Sequence, residues 1–305
     1  MNDLLFWVLF NLFVLAMLAL DLWVFHRPGH TVEFREALAW SVGWVLLAVS
    51  FAVLVYFWQG RETAVEFTTG YIIELSLSAD NLFIFLLIFR YFKVPPGYQH
   101  KVLFWGIVGA LVMRGIFIVL GIGLIRRFHW IIFLFGAFLV YSGIRLLGKK
   151  EVGVDPEKNP MVRLVRWLIP VTKDFEGDKF VVRRRGLYAT PLLLVLMVVE
   201  TTDLLFATDS IPAVLAITLK PFVVYTSNVF AILGLRSLYF VLVSMMDYFH
   251  YLHYGLAVVL IFIGGKMLAS DYYEISTVWA LGTVGGVLIL SMVASVVKPK
   301  RVGAN

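Results

Sequence analysis

Cysteine is missing from all 305 residues of this chain. A disulfide framework and a thiolate metal site are therefore both excluded. Charge is also scarce, because charged residues make up 15% of the chain, against about 25% in an average soluble domain. Hydrophobic residues account for 61%. These values exclude a division into soluble domains, and we expect a single transmembrane domain over residues 1–305.

Further absences narrow the function. The chain contains no phosphate-binding loop of the type G-x-x-x-x-G-K-[ST], so ATP-driven pumping by this chain alone is not expected. Its first apolar run lacks a positively charged start and a small-residue cleavage site, which predicts a retained span instead of a signal peptide. We expect neither enzymatic activity nor a bound cofactor. The net charge of +6 comes from basic residues in the loops on one side of the spans, which suits a membrane surface. No nucleic-acid partner is expected.

Long apolar runs dominate what is present. About 20 helical residues cross the ~30 Å core of a bilayer. Nearly continuous hydrophobicity favours helices over a barrel, whose strands would alternate. The sequence therefore predicts an all-α polytopic membrane protein in a lipid bilayer. Its nine transmembrane helices are predicted at residues 4–25, 37–58, 67–89, 102–125, 130–147, 190–217, 222–246, 254–269 and 278–297.

Lysine and arginine concentrate on one side of these spans, chiefly in the 148–189 loop and the tail after residue 297. The positive-inside rule then places the N-terminus outside and the C-terminus in the cytoplasm. We expect the cytoplasmic loop 148–189 to lie against anionic lipid headgroups. A regulatory or partner-binding role is the alternative. A short interfacial helix is predicted over 162–168.

Spans three to five match spans six to eight in order. The run LVMRGIFIVL around Arg114 in span four resembles LGLRSLYFVL around Arg236 in span seven. Three spans reverse the starting side, so a tandem repeat of 67–147 and 190–269 must be inverted, with 278–297 as a final span. Inverted repeats in transporters place the substrate near the midplane, between the repeats, and permit alternating access.

Carboxylates interrupt the apolar spans, although each costs roughly 3 kcal/mol at bilayer depth. Glu74 and Asp80 lie six residues apart in span three, and Asp203 and Asp209 repeat that spacing in span six. The intramembrane acids outnumber the deeply buried arginines, which leaves negative charge for a cation. The candidate metal ligands are Glu74, Asp80, Asn81, Glu200, Asp203 and Asp209.

This ligand set consists only of oxygen donors, which suit hard divalent ions such as Mn²⁺, Mg²⁺ or Ca²⁺. Helical residues six apart point to different faces, so each acidic pair converges on one site only where its helix unwinds. Pro212 lacks an N–H for the Thr208 carbonyl and predicts such a break in span six. The supporting residues are Asp21, Ser76, Ser78, Arg114, Thr208, Ser210, Pro212 and Arg236.

Other interpretations stay open at this point. The acids could pair with Arg114 or Arg236 as links between helices. For Asp21, such a structural pairing and a functional role are equally expected. The two arginines are expected to support or gate the site instead of touching substrate. An amino acid or other organic cation could use the same acids. A third alternative is a membrane scaffold that transports nothing and assists metal loading or protein insertion.

Five stretches resemble the TerC family of integral membrane proteins, and within it the Alx-type members. They are 69–83 (TGYIIELSLSADNLF), 188–192 (YATPL), 200–213 (ETTDLLFATDSIPA), 226–236 (TSNVFAILGLR) and 254–264 (YGLAVVLIFIG). The resemblance covers almost the whole chain. It implies a nine-span protein of the bacterial inner membrane that exports Mn²⁺ as its transported substrate. It also implies that the functional positions are the six candidate ligands named above.

Overall fold

The computed structural model describes residues 3–25, 34–128, 130–148, 159–183, 186–245, 251–273 and 275–297. Almost all of these residues are helical. The helices are α1 (Asp3–Phe25), α2 (Phe34–Gln59), α3 (Arg61–Tyr91), α4 (Pro96–Arg127), α5 (Ile131–Gly148), α6 (Pro160–Leu168), α7 (Pro191–Leu215), α8 (Pro221–Leu233), α9 (Leu235–Met245), α10 (Leu252–Leu268) and α11 (Thr277–Val297). Two short strands, β1 (Val181–Arg183) and β2 (Leu187–Ala189), pair antiparallel in the loop before α7.

Six helices in the described residues are long and apolar enough to cross a membrane: α2, α3, α4, α5, α7 and α11. Helices α8 and α9 meet at a bend of 42° and give a seventh crossing if they form one span. The apolar part of α1 is shorter, and the 17 residues of α10 rise only about 26 Å. The protein is therefore an all-α polytopic membrane protein, and its nine-span topology stays a prediction.

Helix α3 lies inside the bundle and contacts α2, α7, α8, α9 and α11. Its central position follows from its composition, since polar side chains in its middle, among them Glu74, Ser78 and Asn81, are buried, while apolar residues of α2 and α4 face outward. An aromatic cluster joins its N-terminal half to α1, α2 and α8. Phe51 and Phe67 have ring centroids 5.1 Å apart, and Phe51 and Phe230 have theirs 4.8 Å apart.

The segments that match in sequence contact each other reciprocally. Their first helices, α3 and α7, touch, and so do their third helices, α5 and α10. Helix α3 packs on α8, the start of the other segment's second helix, as α7 packs on α4. A two-fold relation requires this reciprocity, while the inverted orientation of the repeat stays a prediction.

Glycine sets the close approach of α5 and α10. A Cβ at Gly143 would lie 2.7 Å from the Ala257 carbonyl oxygen. A Cβ at Gly264 would lie 2.6 Å from the carbonyl oxygen of Gly136. Small residues that let backbones touch are typical of helix pairs in membranes.

The predicted unwinding of span six is wrong. Helix α7 is continuous from Pro191 to Leu215, with Pro212 inside it. Pro212 lies three residues before the helix end, so its missing N–H removes one hydrogen bond and leaves the turns between Asp203 and Asp209 intact. The observed break falls in predicted span seven, between α8 and α9 at Gly234.

The loop between α5 and α7 is folded in its described part, 159–183 and 186–190. The helix predicted over 162–168 is present as α6, whereas the hairpin β1–β2 was not predicted. Lys101 at the start of α4 forms an ion pair of 2.9 Å with Asp178. The hydrogen bond from Lys101 lowers the pKa of the Asp178 carboxyl against the opposing effect of its partial burial.

Candidate functional site

A buried ion-pair network lies where α3, α4 and α7 meet. The Arg114 side chain of α4 is 1% exposed, and Glu74 of α3 and Asp203 of α7 are 0% and 5% exposed. The Arg114 guanidinium donates from Nη2 to Asp203 Oδ1 at 3.0 Å and from Nε to Oδ2 at 3.3 Å. Its Nη1 pairs with Glu74 Oε1. The first acid of each matched pair therefore reaches the same cation.

Glu74 has two further partners. Asn228 of α8 donates from Nδ2 to Glu74 Oε2 at 2.9 Å, and Ser78 donates from Oγ to Oε1 at 3.2 Å. Buried charges need such partners, because an unpaired carboxylate in a low dielectric is costly. Asn228 is 1% exposed and was not among the predicted site residues. Its signal in the sequence is the polar run Thr226-Ser227-Asn228 within an apolar helix.

The second predicted arginine, Arg236 of α9, is 1% exposed. It lines a cavity of about 20 Å³ together with Asp203 and apolar side chains of α3 and α4. That volume holds about one water molecule. Arg236 and Asp203 therefore line the same small cavity, where α3, α4, α7 and α9 meet.

Glu200 lies one helical turn before Asp203 on α7, as its spacing predicts. Its carboxylate rests against Gly109 of α4, at a place that any Cβ on residue 109 would occupy. The absence of a side chain at Gly109 therefore makes room for the Glu200 carboxylate.

Asp209 lies apart from this network. It accepts a hydrogen bond of 2.8 Å from Ser142 Oγ of α5. Six residues of unbroken helix turn Asp209 about 120° away from Asp203 and about 9 Å along the axis. The expected convergence of Asp203 and Asp209 on one site through local unwinding is therefore absent.

The other predicted residues occupy varied positions. Asn81 is buried on α3, and Ser210 and Pro212 are buried on α7. Ser76 and Thr208 donate to carbonyls of their own helices, those of Ile72 and Leu205 at 2.6 Å each. The side chains of Asp21 and Asp80 lie outside the described part of the structure.

No group of three or more Asp, Glu or His side chains that could hold a metal ion occurs among the side chains described. In this conformation Glu74 and Asp203 each pair with Arg114 and so link α3 and α7 to α4. Glu74 and Asp203, from the first helices of the two matched segments, thus share one guanidinium of the chain as their partner.

These features define a polytopic membrane protein with a charged network buried among its helices. Residues 59–302 match the family described as "Integral membrane protein TerC family". The chain belongs to this family.

Several curated bacterial proteins are similar over nearly full length. An uncharacterized membrane protein of Myxococcus xanthus, STKORF319, is 48% identical over 296 residues, covering 97% of this chain and 93% of that protein. Proteins named "Putative membrane-bound redox modulator Alx" are 46% identical over 299 residues in Salmonella typhi and 44% identical over 301 residues in Escherichia coli K12. Each covers 95% of this chain and 93% of the relative. No solved structure matches the chain.

Proposed function

We propose that this protein is a secondary transporter that exports divalent metal cations, foremost Mn²⁺, across the bacterial inner membrane. Its N-terminus is outside and its C-terminus is in the cytoplasm, as the distribution of basic residues favours. The drive is exchange of protons for metal on intramembrane carboxylates, because both compete for the same oxygens. The metal is the transported substrate, and no resident cofactor is part of the proposal.

The observation that carries the proposal is the meeting of Glu74 and Asp203 on one buried cation. The two acids come from the first helices of the two matched segments. An intramembrane carboxylate is by default a candidate for an ion pathway. Two of them, from different segments, that already enclose a positive charge supply the oxygen donors that a hard divalent ion needs.

In this proposal Arg114 is the resident counter-cation of the empty transporter. A metal ion that binds Glu74 and Asp203 replaces the guanidinium as the positive charge that neutralises the two carboxylates. Movement of α3 relative to α7 would separate the two carboxylates and change their access. Glu200 and Asp209, which lie outside the Arg114 network, are candidates for earlier or later positions along the path.

The name of the relatives, redox modulator, is compatible with metal export. The chain has no cysteine, so its side chains have no thiol–disulfide exchange to offer. Export of a redox-active transition metal would instead let such a protein act on redox state without redox chemistry of its own.

One observation favours a second candidate, an exporter of an organic cation. Asp203 holds the Arg114 guanidinium through two N–H donors, at 3.0 and 3.3 Å, a geometry that fits a carboxylate to a planar guanidinium. If the site takes an organic cation, free arginine or guanidinium should inhibit Mn²⁺ flux by competition. If the site takes a metal, Ca²⁺ should inhibit Mn²⁺ flux instead.

The test is Mn²⁺ flux into proteoliposomes that contain a dye quenched by Mn²⁺, with an imposed pH gradient. Glu74→Gln and Asp203→Asn are expected to abolish the flux, because each removes a charged oxygen ligand. Glu62→Gln is the matched control on α3, since Glu62 is exposed in the first helical turn. Its flux should equal that of the unaltered protein.

Size-exclusion profiles of the three variants show whether they fold. Well-folded Glu74→Gln and Asp203→Asn proteins with unchanged Mn²⁺ flux would contradict the proposal. An absence of flux in the unaltered protein, with every tested cation, would favour the scaffold interpretation.

A further inference from the structure

Helix α6 exposes a strip of large apolar side chains outside the membrane-spanning bundle. Trp167 is 80% exposed, Leu168 60%, Leu164 44% and Met161 42%. Residues 161, 164 and 168 follow the spacing i, i+3, i+7, so they share one face of the nine-residue helix. Four large apolar side chains on one short helix form a contiguous patch, which marks an interaction surface.

Two valines of α6 hold the helix in place. Val162 is 1% exposed and belongs to the main core, and Val165 packs against that core. Helix α6 contacts α7. The Asn159 side chain caps it by accepting from the backbone N–H of Met161 at 2.9 Å. The exposed strip is therefore presented in a fixed orientation.

The charge of α6 and its place in the fold indicate the partner. The helix contains Arg163 and Arg166 and no carboxylate. It packs at the start of α7, in the loop that follows the end of α5. The outward face of α5 near that end exposes Tyr141, Ile144 and Leu147, as expected of a surface in contact with lipid.

We propose that the exposed strip of α6, residues 161, 164, 167 and 168, docks into the headgroup region of the adjacent membrane leaflet and prefers anionic phospholipid. Helices of this kind lie in the plane of the interface, with the apolar side in the acyl boundary and basic residues at the headgroups. Anionic lipid attracts such basic residues at short range. The loop between the two matched segments is thereby attached to the membrane surface, whatever the protein transports.

The absence of cysteine makes the test direct, because a single introduced cysteine is the only labelling site. Leu164→Cys and Leu168→Cys carry a spin label in full-length protein reconstituted in nanodiscs. Lys173→Cys is the matched control, since Lys173 is exposed in the same loop and lies outside the strip. Collision rates of each label with oxygen, which concentrates in lipid, and with a water-soluble nickel complex report its surroundings.

Labels at 164 and 168 are expected to collide mainly with oxygen, and the label at 173 mainly with nickel. Nickel collisions at 164 and 168 equal to those at 173 would overturn the proposal. Protection from both reagents together with spin–spin coupling between copies would assign the strip to a second copy of this chain, and would overturn it too.

The lipid preference is tested with nanodiscs of phosphatidylcholine alone and with added phosphatidylglycerol. The labels at 164 and 168 should show a higher oxygen-to-nickel collision ratio in the anionic bilayer. Equal ratios in both bilayers would contradict the anionic preference. A loss of Mn²⁺ flux in the labelled variants is a separate result, because the collision data do not depend on transport.

Discussion

The second helices of the two matched segments differ in a way that their sequences explain. Helix α4 runs unbroken for 32 residues through Arg114. Its counterpart is divided into α8 and α9, with a 42° bend just before Arg236. Aligning the two arginines places Val112 opposite Gly234. Glycine lowers helix stability, and Ser237 adds a hydrogen bond of 3.0 Å to the Gly234 carbonyl, a pairing typical of kinks.

Because of this difference, Arg114 and Arg236 lie in different surroundings. The unbroken helix holds Arg114 between two carboxylates, whereas the bent one places Arg236 on the wall of the small cavity beside Asp203. The bend at Gly234 gives the second segment a break in its helix that the unbroken α4 of the first segment does not have. We therefore expect Arg114 to dominate stability and the region of Gly234 to dominate movement.

The largest effect is expected from Arg114→Gln. Removing one partner of a buried ion pair typically costs about 3–5 kcal/mol, because the remaining charge stays buried and uncompensated. In this protein two carboxylates, Glu74 and Asp203, would be left. The free energy of unfolding in mixed micelles measures the loss.

The matched variant Arg236→Gln should cost less, and the double variant Arg114→Gln/Asp203→Asn should recover part of the lost stability. A cost below about 1 kcal/mol for Arg114→Gln would show that the network does not hold the segments together, and the contrast between the arginines would fail.

The next effect concerns the contact between the third helices. Gly264→Ala would place a Cβ 2.6 Å from the Gly136 carbonyl oxygen and 2.8 Å from the Val140 nitrogen, both backbone atoms. Overpacking of this kind costs about 1–3 kcal/mol. The neighbouring Gly265 has no atom within 4 Å of an added Cβ.

Gly265→Ala should therefore be neutral, or stabilising by up to about 1 kcal/mol through helix propensity. Unfolding of both variants in the same micelles compares them directly. Equal effects of the two alanines would mean that α5 and α10 are not in backbone contact at Gly264.

The sequence predicts the helices well because apolar runs of about 20 residues have few alternatives in a bilayer. It also identifies Glu74, Asp203 and Arg114, since charged residues in such runs are rare. Their arrangement was less accessible, because the sequence carries no direct information about which helix faces meet. Asn228 was missed for that reason: one amide in an apolar helix gains meaning only when Glu74 is opposite.

The helix break predicted at Pro212 and the break observed at Gly234 show that local propensity alone does not locate a break. Pro212 is the stronger helix breaker by propensity, but near a helix end it removes a single hydrogen bond. Gly234 is weaker by propensity, yet it lies mid-span beside Ser237. The hairpin β1–β2 was missed because three-residue strands are too short to show alternation.

A smaller effect on stability is expected from Gly234→Ala. An added Cβ would lie 3.5 Å from the Trp44 Cβ, an ordinary contact, so the change should alter stability by less than about 1 kcal/mol. If the bend serves movement, Mn²⁺ flux in proteoliposomes should fall although stability does not. Val112→Ala at the matched position of α4 is the control and should leave flux unchanged. Normal Mn²⁺ flux in Gly234→Ala would contradict the idea that the bend between α8 and α9 serves movement.

The smallest effect is expected at the loop that joins the two segments. Lys101 holds the pKa of the Asp178 carboxyl below its ordinary value. Because the folded-state pKa is depressed, the pair stabilises the fold above the unfolded pKa of about 3.9, and this contribution disappears as pH falls through the lower folded pKa. Both side chains are partly exposed, so the pair is worth about 0.2–1 kcal/mol at most.

Asp178→Asn should therefore lower stability slightly at pH 7, lose that difference in strong acid, and lose it also in high salt, which screens exposed charges. Unfolding curves of both proteins across pH and salt measure this. A difference that persists in acid would point to lost packing of the loop on α4 instead of lost charge. The attachment of the connecting loop to the first segment would then depend on the Phe180 ring, which lies 5.3 Å from the Lys101 ammonium.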